Sequence, residues 1–213
     1  MTEDLDGSPE QVSQMLRGLF PDSRIICLKQ IHSDMIVRAE DVTPGSFPEA
    51  DGAVSHDPSF ILCIRTADCV PVLLWADDSP LIAAIHAGWR GLALDIVRKA
   101  VDLVRAGGAR QIHVSMGPSI GPCCYAVGKE VIDALNTEPD RKAAGRIFVD
   151  LHRIATLQAQ KSGVPSDMIH HVQRCTCCNK DSFFSYRRDG QHAGRNISLI
   201  GGESCSLPGL QAR

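Results

Sequence analysis

Three strings along the 213-residue chain each place a soft or borderline metal ligand where an apolar strand gives way to small or polar residues: KQIHS with His32, TADC with Cys69 and IHAGWRG with His86. Two imidazoles and a thiolate are a matched donor set for Zn²⁺, and three protein ligands leave the fourth tetrahedral position open to water or substrate. An open position implies catalysis, because bound Zn²⁺ brings the pKa of its water down to about 7 or polarises a phosphate or carbonyl oxygen. The three ligands lie far apart in sequence, without a helical HExxH or a paired CxxC among them. A His or Cys at a strand end serves packing or hydrogen bonding as readily, so spacing alone leaves the metal and the packing readings both standing. A further reading needs no metal: Cys69 as nucleophile with His86 or His32 as its base, in a Cys/His hydrolase or transferase.

Other residues have suitable chemistry beside these three. Asp68 precedes Cys69 and could orient a ligand imidazole or act as acid/base; a turn-forming Asp is the competing reading. Arg90 lies four residues after His86 near a predicted helix start, where a guanidinium could hold phosphate bidentately or simply pair with Asp95. Trp89 reads as packing. Ser119, between Gly and Pro residues in GPSIGP, could present backbone amides to a ligand, with a plain turn as the competing reading. Arg187 and Arg188 in SYRRDG could serve a phosphate, though a solvated pair at a hairpin turn is the favoured reading. Cys123, Cys124, Cys175, Cys177 and Cys178 form CC and CTCC clusters that could bind a second, structural zinc, but adjacent spacings fit the two-residue gap between zinc ligands poorly and favour ordinary thiols.

The elements that must position these residues alternate without a clean βαβ period. Short apolar strands are predicted at 25–28 and 35–37 around a polar turn at 29–34, then around 61–64, 70–75 and 81–85. Leu92, Ile96, Val97, Ala100, Val101 and Val104 fall at helical spacing, so 91–106 reads as one helix stopped by Gly107 and Gly108. A strand at 112–116 precedes an irregular GPSIGPCCYAVG, and a short helix follows at 129–135. Asp150 is a suitable N-cap for a helix over 151–161 that Gly163 and Pro165 close. Strands from Ile169 and in NISLIG complete a single α/β domain over 1–213, a layered fold with a mixed β-sheet covered by helices.

Composition narrows the class. With 44% hydrophobic and 22% charged residues and a formal net charge of -3, the chain gives no electrostatic reason for nucleic acid or an anionic membrane as partner. The first twenty residues open acidic and hold no apolar run suited to a signal peptide or a membrane span. Nine cysteines, an odd number in a long chain, read as reduced thiols in the cytoplasm.

The strings KQIHS, EADGAVS, RTADCVPVLL, AAIHAGWRGL, GPSIGPCCYAVG, and CT followed by FFSYRRDG and GRNISLI occur in this order from about Gly7 to Ile200. They resemble the motifs of the laccase-domain, or polyphenol-oxidase-like, family, regarded as zinc-dependent purine nucleoside phosphorylases with side activities on adenosine and methylthioadenosine. The resemblance implies a layered α/β fold, zinc on His32, Cys69 and His86, and purine nucleosides and phosphate as partners. Family members begin with a further segment holding TRxGGVS-like and SLN-like strings, which this sequence is expected to lack. Phosphorolysis to free base and ribose 1-phosphate is the expected activity, with adenosine deamination beside it and Asp68 as its acid/base. A zinc-stabilised protein without catalysis is the remaining alternative. Oligomeric state has no signature in the sequence.

Overall fold

The computed structural model describes residues 7–201. Strands β2 (Ile36–Arg38), β3 (Gly52–Ser55), β5 (Val70–Ala76), β6 (Ile82–Ala87), β7 (Ile112–Met116) and β11 (Ile169–His171) form one mixed sheet in the order β11-β7-β5-β6-β3-β2. Its outer pairs are parallel and its inner pairs antiparallel. A second sheet joins β1 (Arg24–Cys27), β4 (Phe60–Thr66) and β12 (Asn196–Gly201), with β4 central. A small antiparallel sheet joins β8 (Ala126–Val127), β9 (Arg141–Ala143) and β10 (Arg146–Phe148).

The two-residue period of a strand decides how these sheets stack. Val70, Val72 and Leu74 of β5 and Ala83 and Ile85 of β6 share one core with helices α3 (Ile96–Ala106) and α5 (Leu151–Lys161), while Leu73, Ile82 and Ala84 face the other way. That second face meets Ile26, Phe60, Leu62 and Ile64 of the three-stranded sheet. The far side of the second sheet offers Cys27 and Cys63 to Val12 and Leu16 of helix α1 (Pro9–Leu19). The chain is thus four layers deep: helices, large sheet, second sheet, helix. The expected mixed sheet under helices is present, with a second sheet and the N-terminal helix added to it. Among the described residues no helix is long and apolar enough to cross a membrane.

Sequence periodicity missed α1, although Ser8 caps it by accepting from Gln11 N and Pro9 opens it. Strand β3 and the β9–β10 hairpin were hidden in stretches rich in Gly and charge. The single helix expected over 91–106 is two helices, α2 (Trp89–Ala93) and α3, separated by Asp95 at a left-handed φ of 60°. Apolar spacing runs across the break because both helices pack on the same sheet. The carbonyl of Leu92, at the break, accepts from the buried Gln158 Nε2 at 2.6 Å. SYRRDG is no hairpin turn but a short helix, α6 (Tyr186–Asp189), capped by Ser185, whose side chain accepts from Arg188 N. Helix α4 (Lys129–Leu135) and the 151–161 helix lie where the sequence put them.

Gln158→Leu keeps the volume but removes one of the two donors to the Leu92 carbonyl, which retains Asp95 N at 3.1 Å. A loss of about 0.5–1.5 kcal/mol in unfolding free energy is expected from urea denaturation.

Candidate active site

The strand register assembles the site. β5 and β6 are antiparallel with Val70 opposite Ala87 and Pro71 opposite His86, so Cys69, just before β5, meets Gly88, just after β6. β3 lies on the other side of β6 with Gly52 opposite Ile85, and the preceding Asp51 accepts the His86 backbone N–H through its carbonyl at 2.7 Å. His32 arrives on the loop between β1 and β2 at a left-handed φ of 60°. Its ring meets that of His86 edge-on, centroids 4.8 Å apart. The ligand-type atoms of His32, Cys69 and His86 all lie within 4.8 Å of one another. Position 88 is Gly for a steric reason: a Cβ there would stand 3.1 Å from both Cys69 Sγ and His32 Cδ2.

Asp51, which sequence reasoning did not single out, organises all of this. Its carboxylate is fully buried and accepts from His86 Nδ1 at 2.7 Å, His32 N at 2.9 Å, Ile31 N at 3.2 Å, Ser33 N at 2.5 Å and Ser33 Oγ at 2.8 Å. Burial pushes its acidity down, but the bonds from His86 and Ser33 outweigh that and hold the carboxyl below its ordinary pKa. An ionised carboxylate only accepts, so Nδ1 of His86 carries the proton and Nε2 is left for the site. The string EADG carried this residue in plain view. An acidic residue in a Pro/Gly loop reads as a turn former, and nothing in the spacing told otherwise.

Around the three ligand-type groups lies a cavity of about 560 Å³, lined also by Gln30, Arg65, Asp68, Tyr125, Arg187 and Arg195. Arg65 is pinned by the carbonyls of Gly7 and Leu28, and its backbone is clasped by Gln30, which both donates to Arg65 O and accepts from Arg65 N. Arg187 anchors one edge of its guanidinium on Ala126 O at 2.9 Å and Cys124 O at 3.3 Å. Three guanidinium groups in the wall make the cavity suited to an anion. Burial pushes the Tyr125 phenol up to about 12, so it stays neutral.

Asp68 lines the cavity at a left-handed φ of 96° with both oxygens engaged, accepting from Thr176 Oγ1 and from Arg187 N, each at 2.6 Å. Ser119 lies buried in its loop, its carbonyl accepting from Thr176 N, and does not line the cavity. Arg90 is exposed and stacked over Trp89 at 4.4 Å, also outside the cavity lining, while Asp95 pairs with Arg98. Arg65 and Arg195, which do line it, were not singled out in the sequence because neither lies beside a ligand.

The charges of the three central groups support one another. Burial pushes the Cys69 thiol up, yet the charge of His86 and hydrogen bonds with His32 and His86 bring it down to about 6. Burial pushes His86 down, yet the Cys69 charge and the bond to Asp51 bring it up to about 9. Without a metal, the site therefore rests as a thiolate beside an imidazolium at neutral pH. With a soft divalent cation, the same thiolate and two imidazoles are ready donors.

The family model described as multi-copper polyphenol oxidoreductase laccase matches residues 5–203. The chain belongs to this family. Among its laccase-like relatives is the purine nucleoside phosphorylase YlmD of Geobacillus stearothermophilus, 34% identical over 201 residues, covering 85% of this chain and 73% of the relative. The purine nucleoside phosphorylase YfiH of Escherichia coli is 31% identical over 203 residues, covering 91% of this chain and 82% of the relative. The crystal structure of YlmD superposes with a TM-score of 0.78 at 33% identity, covering 92% of this chain and 79% of that one. That of a Neisseria meningitidis protein gives 0.81 at 31%, covering 92% and 83%.

In chelator-treated protein, iodoacetamide should alkylate Cys69 at a rate that climbs as pH rises through about 6 and then levels. Asp51→Asn should move that midpoint upward, because His86 loses the carboxylate that keeps it charged. Peptide mass mapping across pH reads both outcomes, and an ordinary thiol midpoint at Cys69 in the unsubstituted protein would refute this charge arrangement.

Proposed function

We propose that the chain is a zinc-dependent purine nucleoside phosphorylase, converting nucleoside and phosphate to free base and ribose 1-phosphate, with His32, Cys69 and His86 as the metal ligands. The observation that carries this reading is a His₂Cys group at the floor of a cavity walled by three arginines. The donor set is the chemistry of tetrahedral Zn²⁺, and the space kept clear by Gly88 faces two of its three members. When bound, Zn²⁺ supplies Lewis-acid polarisation of a substrate oxygen.

The chain's own residues have the remaining work. Arg187 and Arg195 lie where they can hold phosphate oxyanions, each with guanidinium N–H groups beyond those bonded to carbonyls. Held so, a phosphate oxygen can approach the anomeric carbon as the glycosidic C–N bond breaks and the purine leaves with its electron pair. Tyr125 and Tyr186 offer aromatic surface for the base. For Asp68 we favour a positioning role over proton transfer, because both its oxygens already fasten α6 and Thr176 to the TADC turn. Adenosine deamination remains a second activity of the same cavity. Arg90 and Ser119 lie outside the cavity wall, so we move the phosphate role to the arginines that line it.

Among the described residues, the groups that could hold a metal are this one and an all-thiol set; neither is the His-rich assembly that several coppers need. The described cysteines are free thiols, which suits the cytoplasm, where we place the enzyme. The thiolate–imidazolium pair favours one rival, a metal-free Cys/His enzyme.

Incubation with adenosine or inosine, with and without phosphate, should release free base and ribose 1-phosphate only when phosphate is present. Chelation should abolish turnover and Zn²⁺ restore it; activity that survives chelation would establish the dyad instead. Asp51→Asn should lower metal affinity or activity by about 10–100-fold, read by metal titration beside turnover. Arg187→Ala should raise the KM for phosphate about tenfold or more with a smaller effect on nucleoside KM, as the loss of one charge-assisted contact predicts.

A further inference from the structure

A second set of soft ligands is gathered away from the cavity floor. Cys123 and Cys124, from the GPSIGPCCY loop, meet Cys175 and Cys178, from the CTCC segment, with all four sulfurs within 4.8 Å of one another. Cys178 Sγ lies 3.6 Å from Cys123 Sγ and 3.3 Å from Cys124 Sγ. A disulfide would place one pair at about 2.0 Å, and all four are free. Four sulfurs each about 2.3 Å from a shared tetrahedral centre lie about 3.8 Å apart. The observed spacing is that of a small metal cage, which favours the structural-zinc reading of these cysteines over ordinary thiols.

Apolar packing does not account for the cluster, since Cys123 and Cys178 are exposed. The backbone is shaped around sulfur as well. Gly121 N donates to Cys175 Sγ at 3.3 Å, and a Cβ at position 121 would stand 3.3 Å from Cys123 Sγ. Amides aimed at a sulfur favour the thiolate over the thiol. Four sulfurs this close would repel one another as thiolates without a cation among them. The spacing that the sequence reading missed is also there: Cys175 and Cys178 are separated by two residues, with Cys177 passed over.

We propose that Cys123, Cys124, Cys175 and Cys178 hold a second, structural cation, a thiophilic divalent metal such as Zn²⁺, distinct from the His32, Cys69 and His86 group. Four protein ligands close the coordination sphere, so its work is mechanical. It clips two segments that both back the cavity. Ser119 bridges to Cys175, Thr176 fastens Asp68, and Arg187 bonds the carbonyl of Cys124. The clip therefore holds the wall that carries Asp68, Tyr125 and Arg187.

The test measures metal by mass spectrometry in the full chain, purified without a metal-affinity step and reconstituted with Zn²⁺. The unsubstituted protein should hold two equivalents, and either Cys123→Ser/Cys178→Ser or His32→Ala/Cys69→Ala should halve that content. One equivalent that only the thiol variant removes would sink the active-site zinc and leave this proposal standing. One equivalent that only His32→Ala/Cys69→Ala removes would overturn it. The thiol variant should also melt at lower temperature. Should that variant fail to fold, Co²⁺ loaded into His32→Ala/Cys69→Ala decides the matter: intense sulfur-to-cobalt charge transfer with tetrahedral d–d bands supports a tetrathiolate site, and its absence refutes it. Alkylation of the native, Zn²⁺-loaded chain should spare these four cysteines; free labelling of them, or a disulfide between them, refutes it as well.

Discussion

A single buried negative charge organises the site. Asp51 has no solvent exposure, and a carboxylate so placed is tolerable only when donors surround it. Here five do, four from residues 31–33 and one from His86. Each bond that stabilises the charge also fixes a part of the site: three amides bend the 31–33 loop until His32 turns inward at positive φ, and the imidazole bond sets the tautomer of His86. Neither imidazole would be aimed where it is by packing alone. The charge then passes outward, because His86 held as a cation draws the Cys69 thiol into its thiolate form.

The sheet register does the rest. Cys69 and His86 are neighbours because β5 and β6 pair antiparallel just beyond their ends, and Asp51 reaches His86 because β3 lies on the other side of the same strand. The arginines complete the chemistry differently: they are held through backbone carbonyls, with Arg65 on Leu28, Arg187 on Ala126 and Arg195 on Ala193. Carbonyls neutralise no charge, so these cations stay available to an anion in the cavity.

How much of this was readable in the sequence follows from what each signal depends on. His32, Cys69 and His86 stood out because a polar ligand closing an apolar run contradicts its surroundings. The helix at 151–161 was readable because Asp150 and Gly163 act locally. Asp51 was not, since its importance lies in donors that come from residues 31–33 and 86, visible only once two strand pairs are formed. Arg65, half-buried at the end of β4, was missed because its place in the cavity wall depends on how the strands pack. Periodicity also misled: apolar spacing continued through Asp95 because it records which face meets the sheet, and a backbone break leaves that face unchanged. The CTCC segment looked unsuited to metal because its adjacent cysteines mask the two-residue gap between Cys175 and Cys178.

The position of the central group at the seam of two sheets bears on how the protein matures. His32 leaves the strand of one sheet, Cys69 sits between a strand of that sheet and a strand of the other, and His86 ends a strand of the second. No fragment of the chain short of both docked sheets can bring the three together. Reactivity therefore requires both sheets in place, and either sheet alone carries neither the activated sulfur nor the complete ligand set with which to do misplaced chemistry.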